Sequence, residues 1–253
     1  MSIDIETDSD GLRSITLNEP DRRNPIAHHK RAEICAALGE AATDDGVRAV
    51  VLTGAGGNFS AGGDIRDQGE RSLGAHRERF AVIADMVTRM ARFPKPLVAA
   101  VEGWAAGGGF ALALACPTVV ASREARFVAG FTKIALMPDM GLLSTLPARI
   151  GPARARNLLL SNRIVEAPEA LDLGIVDALT DPGAAARVAG EMALKEAEGA
   201  AMPRQFILDW YARDLAAALE YEATLQPMLL NSDDAAEGRA AFAEKRRPVF
   251  RGR

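Results

Sequence analysis

The chain has 253 residues, 48% hydrophobic and 25% charged, with 34 acidic against 30 basic side chains and a net charge of −4. This supports a sizeable core, argues against disorder, and makes general nucleic-acid binding a poor fit while leaving room for a local basic pocket. Two cysteines without a CxxC pair, Cys35 and Cys116, argue against a disulfide framework or a cysteine zinc site; with no leader-like N-terminus and no apolar run near the ~20 residues that span a bilayer, a cytoplasmic, soluble protein is expected.

Residues 3–7 and 12–17 alternate apolar and polar positions around Ser9-Asp10-Gly11, which predicts a hairpin. Pro20 and Pro25 bracket a basic stretch, Arg22-Arg23-Asn24. A helix is expected from there to about Thr43, with Ile34, Ala37, Leu38 and Ala41 on one face, stopped by Asp44-Asp45-Gly46. Residues 49–53 predict a buried strand, followed by the glycine turn Asn58-Phe59-Ser60-Ala61-Gly62-Gly63-Asp64. Residues 66–75 hold charges and two glycines and read as a mobile loop. Phe80, Ile83, Ala84, Val87, Met90 and Ala91 then form a helical stripe, ended by Phe93-Pro94-Lys95-Pro96.

The apolar run 97–101 predicts a second buried strand, leading into Gly103-Trp104-Ala105-Ala106-Gly107-Gly108-Gly109-Phe110. A helix over 107–115, short strands over 118–121 and 126–128, and a helical stretch over 141–161 interrupted by Pro147 and Gly151-Pro152 complete this half. Beyond Asp181 the chain is rich in Ala, Glu, Arg and Leu, which predicts three or four helices acting as a cap or an oligomer contact. Alternating strands and helices imply an α/β core with parallel pairing. A unit of strand, glycine turn and helix recurs near 49–66 and 97–115.

Glycine permits positive φ and close approach of another atom. Two glycine turns, each behind an apolar run, can therefore aim two backbone N–H groups at one oxygen, the geometry of an oxyanion hole. Taken singly, each glycine also fits an ordinary tight turn. Asp64 fits a cap for a helix beginning at Ile65, or the wall of a pocket. Asp139, after Pro138, fits a helix N-cap. Ser60 lacks the G-x-S-x-G pattern of a serine hydrolase. Three histidines without helical spacing argue against a metal site; His28 and His29 are expected to be exposed, and Trp104 and Trp210 to serve packing. Both cysteines read as small core residues.

Taken together, Val51-Leu52-Thr53-Gly54, Phe59-Ser60-Ala61-Gly62-Gly63-Asp64-Ile65, Pro94-Lys95-Pro96, residues 103–114 and the tail from Glu237 to Phe250 resemble the enoyl-CoA hydratase/isomerase (crotonase) superfamily over nearly the whole chain. The resemblance implies a crotonase-like spiral of ββα units with a C-terminal helical trimerisation region: residues 1–195 as the acyl-CoA-binding core and 196–253 as the helical region. It implies an acyl-CoA thioester substrate, no cofactor beyond the coenzyme A of that substrate, and a homotrimer or hexamer, with neither nucleic acid nor membrane as partner. The amides of Gly63 and Gly108 would form the oxyanion hole.

Hydratases of this family carry two glutamates that handle a water molecule. The matching positions here are Ala111 and Phe131, and neither transfers a proton. Asp139 instead occupies the place where the isomerase branch, including 1,2-epoxyphenylacetyl-CoA and Δ3,Δ2-enoyl-CoA isomerases, carries its single acid/base. Phe131, Met137, Met140 and Leu142 would give it apolar walls, and such walls raise a carboxyl pKa. Ala61, Gly62, Asp64, Ile65 and Phe131 are implied at the substrate, with Arg22, Arg23 and Lys245 as candidates for the coenzyme A phosphates. Other readings remain: a weak hydratase, a dehalogenase-like use of Asp139 with His76, or a thioester-binding protein without turnover.

Overall fold

The computed structural model describes residues 2–67 and 71–252. The hairpin forms as expected, β1 (Ile3–Thr7) against β2 (Leu12–Leu17), with Gly11 at φ 81° in the turn. After a 3-10 turn at Pro20–Arg22 come α1 (His28–Thr43) and β3 (Ala49–Gly54). A second 3-10 turn, Ile65–Asp67, precedes α2 (Leu73–Ala91). The chain continues through β4 (Leu97–Val101), β5 (Trp104–Ala106), α3 (Gly108–Ala115), β6 (Thr118–Ser122) and β7 (Arg126–Val128). A third 3-10 turn, Phe131–Ile134, leads to α4 (Leu142–Ile150), α5 (Pro152–Ser161), β8 (Val165–Glu166), α6 (Ala167–Leu173) and β9 (Ala178–Thr180). Four helices close the chain: α7 (Ala185–Glu196), α8 (Ala201–Tyr211), α9 (Leu215–Leu230) and α10 (Asp233–Ala243).

The strands build two sheets. The larger runs β1-β2-β3-β4-β6-β9 and is parallel except for the hairpin. The smaller runs β5-β7-β8. Parallel strands are buried on both faces, and the apolar runs divide accordingly by alternation. Val50, Leu52 and Ala99 face a large core shared with α1, α2 and α3. Ala49, Val51, Val98, Ala100 and Val120 face α7, which meets them with Ala185, Ala189 and Ala193. Small residues at this spacing form one stripe along the helix, so α7 lies close against the sheet.

Several expectations are corrected. α2 begins at Leu73, not near Phe80, because Ser72 caps it: the Ser72 Oγ accepts from the Ala75 N–H at 3.2 Å. Of the segment read as a loop, 66–67 belong to a 3-10 turn, 73–75 to the helix, and 68–70 lie outside the described residues. β5 sits inside what reads as one glycine turn, since Gly103 and Gly107 flank it. Pro147 does not interrupt α4; the break falls at Gly151, whose φ of 80° ends the helix. His28 is half-buried, with Nδ1 enclosed and, among the described residues, without a partner. Trp210 is 62% exposed rather than packed, with the Arg213 guanidinium 4.1 Å from its ring. α8 buries none of its residues and turns Met202, Phe206, Ile207, Trp210 and Tyr211 outward. By contrast, α9 packs along α2 and buries Leu215, Leu219, Glu222, Gln226 and Leu230. Among the described residues, no helix is long and apolar enough to cross a membrane.

Enlarging the α7 stripe tests this packing. Ala189→Leu is expected to cost about 1–3 kcal/mol through overpacking, read as a lower midpoint in urea denaturation.

Candidate active site

The two glycine turns lie side by side because backbone hydrogen bonds stitch them together. Ser60 N–H donates to the Trp104 carbonyl at 2.9 Å, and Ala106 N–H donates to the Ser60 carbonyl at 3.0 Å. The Ser60 hydroxyl donates to the Asn24 carbonyl at 2.7 Å and accepts from Gly62 N–H at 3.1 Å. Asn24 is fully buried, sits in the left-handed region at φ 55°, and donates through its amide to the carbonyls of Ala55 and Asn58. Asn tolerates that conformation better than most residues. Ser60 is therefore a structural turn residue.

Glycine is required where the turns meet. Gly62 has φ 94°, and a Cβ there would stand 2.5 Å from the Ala106 oxygen and 3.0 Å from Gly108 N. A Cβ on Gly108 would stand 3.4 Å from Gly63 N and 3.0 Å from Met140 Sδ. Among the described residues, neither the Gly63 nor the Gly108 amide donates to a protein acceptor, and both line one cavity of about 240 Å³. Gly108 is the first residue of α3, where N–H groups have no partner within the helix.

Asp139 lines the same cavity and is, among the described residues, the one carboxylate on its wall. It does not cap α4, whose N-cap is Gly141 without a side-chain bond. Its Oδ2 instead accepts from Gln226 Nε2 at 3.3 Å. Gln226 also donates to the Met137 carbonyl at 2.8 Å and accepts from Met137 N–H at 3.1 Å. One turn earlier on α9, the Glu222 Oε2 accepts from Gly141 N–H at 3.0 Å. Positions i and i+4 share a helix face, so α9 holds the loop at two points. The loop needs holding: Met140 and Gly141 both have positive φ, 56° and 78°, and a non-glycine residue there carries strain. Burial pushes the Asp139 carboxyl above the usual carboxylate range, opposed by Arg31, the Gln226 bond and Arg79.

Six of the expected site residues line the cavity: Asp139, Ala61, Gly63, Ile65, Gly108 and Phe131. Gly62 lies behind the wall, at the junction of the turns. Asp64 turns away, pairing with Arg22 at 2.7 Å and accepting from Arg66 N–H at 3.1 Å, a local cap of the 3-10 turn. Arg22, Arg23 and Lys245 are exposed and do not line the cavity. Met137 and Leu142 are also off its wall, whereas Met140 is on it. Ala111 is fully buried within α3. His76 is fully buried on α2, with Nε2 3.0 Å from Asn231 Oδ1 and no place on the cavity wall, so it makes no pair with Asp139.

The sequence reading missed Arg31, Lys133, Ile134, Leu136 and Phe242 on the wall, and Glu222 and Gln226 behind Asp139. A signal existed for some of them. Arg31 falls on the same helical stripe as Ile34 and Leu38, and Glu222 and Gln226 fall on the face of Leu215 and Leu219; polar groups on a buried stripe mark a site.

Glu222 is 1% exposed, and burial raises its carboxyl from 4.5 to about 8, with Asp139 adding to the rise. The folded chain therefore holds this proton more firmly than the unfolded one. Stability falls as pH rises from the unfolded value, and the cost is complete above about 8. Between about pH 5 and 8 the native chain is expected to lose on the order of 2–4 kcal/mol relative to Glu222→Gln, read by urea denaturation across pH. A pH-independent difference would contradict this.

A family model described as enoyl-CoA hydratase/isomerase matches residues 7–253. The 1,2-epoxyphenylacetyl-CoA isomerase of Escherichia coli (strain K12) is 36% identical over 253 residues, covering 96% of each chain. Among solved structures, an enoyl-CoA hydratase from Mycobacterium avium subsp. paratuberculosis K-10 superposes with a TM-score of 0.89 at 34% identity, covering 99% of both chains. An enoyl-CoA hydratase/isomerase from Pseudoalteromonas atlantica T6c gives 0.88 at 29% identity, over 99% of this chain and all of the other. Hydratases and isomerases thus both occur among the relatives. The fold is the crotonase fold, and the chain belongs to the enoyl-CoA hydratase/isomerase family, whose members act on acyl-CoA thioesters.

Proposed function

We propose that this protein is an acyl-CoA double-bond isomerase that moves a proton between C2 and C4 of an enoyl thioester. The observation that carries the reading is a cavity whose described wall offers one carboxylate, Asp139, together with two undonated amides, Gly63 and Gly108. Hydration needs a base for the water and an acid for the carbon, and the two positions that supply glutamates in hydratases are Ala111 and Phe131. The isomerase relative from Escherichia coli supports the same choice.

The steps follow from the residues. The Asp139 carboxylate takes a proton from C2 of a 3-enoyl thioester. The electron pair moves through the carbonyl to its oxygen, giving a dienolate held by the N–H groups of Gly63 and Gly108. The Asp139 carboxyl then returns the proton to C4, leaving the double bond between C2 and C3. No water is consumed, and Phe131, Leu136 and Met140 give the site apolar walls. Pre-aimed donors stabilise charge that appears only during reaction, about 3–4 kcal/mol for one such group. The raised affinity of Asp139 for a proton brings it closer to that of the carbon acid, which favours transfer. The outward apolar row of α8 supports assembly with further copies of the chain, as a trimer or hexamer.

Conversion of 3-hexenoyl-CoA to the conjugated 2-enoyl thioester is expected, read by absorbance, and Asp139→Asn is expected to lower kcat by about 10²–10⁴-fold while thioester binding persists. Full activity in that variant, or faster water addition than isomerisation, would overturn the reading. Because the base must be ionised, kcat/KM is expected to rise with pH through a midpoint above the ordinary value of 3.8. A midpoint at or below that value would remove Asp139 as the base. Sedimentation analysis is expected to find an oligomer that Phe206→Asp with Trp210→Asp dissociates.

A further inference from the structure

Arg31 takes no part in the steps above, yet it lies on the cavity wall. Arg31 is only 5% exposed, whereas Lys133 and Phe242 on the same wall are exposed. Among the described residues its guanidinium has one hydrogen bond, a long one from Nη2 to the Ile26 carbonyl at 3.4 Å. Its Nε is enclosed and, among the described residues, has no acceptor. No carboxylate of the described residues lies within 4.0 Å of its guanidinium. The neighbouring Arg79 is satisfied differently: it donates to the Asp67 carbonyl at 2.6 Å and stands 3.6 Å from the Asp67 carboxylate.

A guanidinium stays charged in any protein environment. Enclosing it is costly unless an anion and hydrogen bonds replace the lost water. The described residues give Arg31 Coulomb attraction from Asp139 and Asp67, repulsion from Arg79, and no contact ion pair. Ile65, Phe131, Leu136 and Met140 make the rest of the wall apolar. A planar donor fork on the wall of such a cavity matches the two oxygens of a carboxylate.

We propose that Arg31 recognises a carboxylate at the far end of the acyl chain, so that the preferred substrates are CoA thioesters of dicarboxylic acids. This rests on the cavity being an acyl-CoA site, and names the substrate class it takes. An acyl chain ending in a methyl group leaves the buried donor unpaired, and sites built to pair a substrate group discriminate against analogues that lack it.

The test uses saturated CoA thioesters, which do not react, so that the answer is independent of whether the cavity isomerises or hydrates. The full-length protein is titrated calorimetrically with chains of about four to eight carbons, sized to a small cavity, each as the monocarboxylic, ω-hydroxy and dicarboxylic form. At one length or more, the dicarboxylic form is expected to bind at least about tenfold more tightly than the other two. Arg31→Met is expected to collapse that ratio to near one, and Arg31→Lys to restore part of it. Equal binding of all three forms at every length overturns the proposal. So does equal binding of the ω-hydroxy and dicarboxylic forms, or a ratio that survives in Arg31→Met. If Arg31→Met does not fold, the ratios in the unmodified protein decide alone. Failure of every thioester to bind sinks the acyl-CoA reading, and this proposal with it.

Discussion

The site depends on a short backbone stitch between two loops that are far apart in sequence. Ser60 exchanges hydrogen bonds with Trp104 and Ala106 and anchors to Asn24 through its hydroxyl. These bonds bring the turn after β3 against the turn after β4, and β3 and β4 are themselves neighbours in the large sheet. Gly62 allows an approach that a side chain would block, and a Cβ on Gly108 would press on the Met140 Sδ. Two amides thus come to share one cavity.

A second constraint acts from the other end of the chain. The loop carrying Asp139 contains two consecutive residues of positive φ, a conformation that does not persist unaided. Gln226 and Glu222 fix it from α9, a helix buried along α2. The same burial that positions these groups also removes their water. Asp139 and Glu222 both hold their protons more firmly than a free carboxyl group, and Arg31 less firmly than a free guanidinium. Electrostatics in this part of the molecule is therefore a property of the packing.

Much of the architecture was readable from the residues. The hairpin, α1, β3, β4 and the helices after 181 announce themselves through periodicity and through breakers such as Ser9-Asp10-Gly11 and Phe93-Pro94-Lys95-Pro96. The elements that escaped are short or lie among glycines. β5 spans three residues between Gly103 and Gly107, and β8 only two, too few for any period to show. The start of α2 escaped because its signal is a single capping serine. For the site, family spacing pointed to Gly63, Gly108 and Asp139, and the structure brings those three to one cavity. Arg31, Glu222 and Gln226 escaped for a different reason. A polar residue on a helix reads as solvated until its neighbours in space are known, and the groups they face come from distant segments.

The bond between Gln226 and Asp139 spans 87 positions. A chain emerging from the ribosome therefore presents both glycine turns well before anything can hold the carboxyl opposite them. A translation product halted ahead of α9, or a protease fragment lacking it, would retain the two facing glycine turns with Asp139 unanchored. The loop carrying Asp139 acquires these two anchors only once α9 has been made.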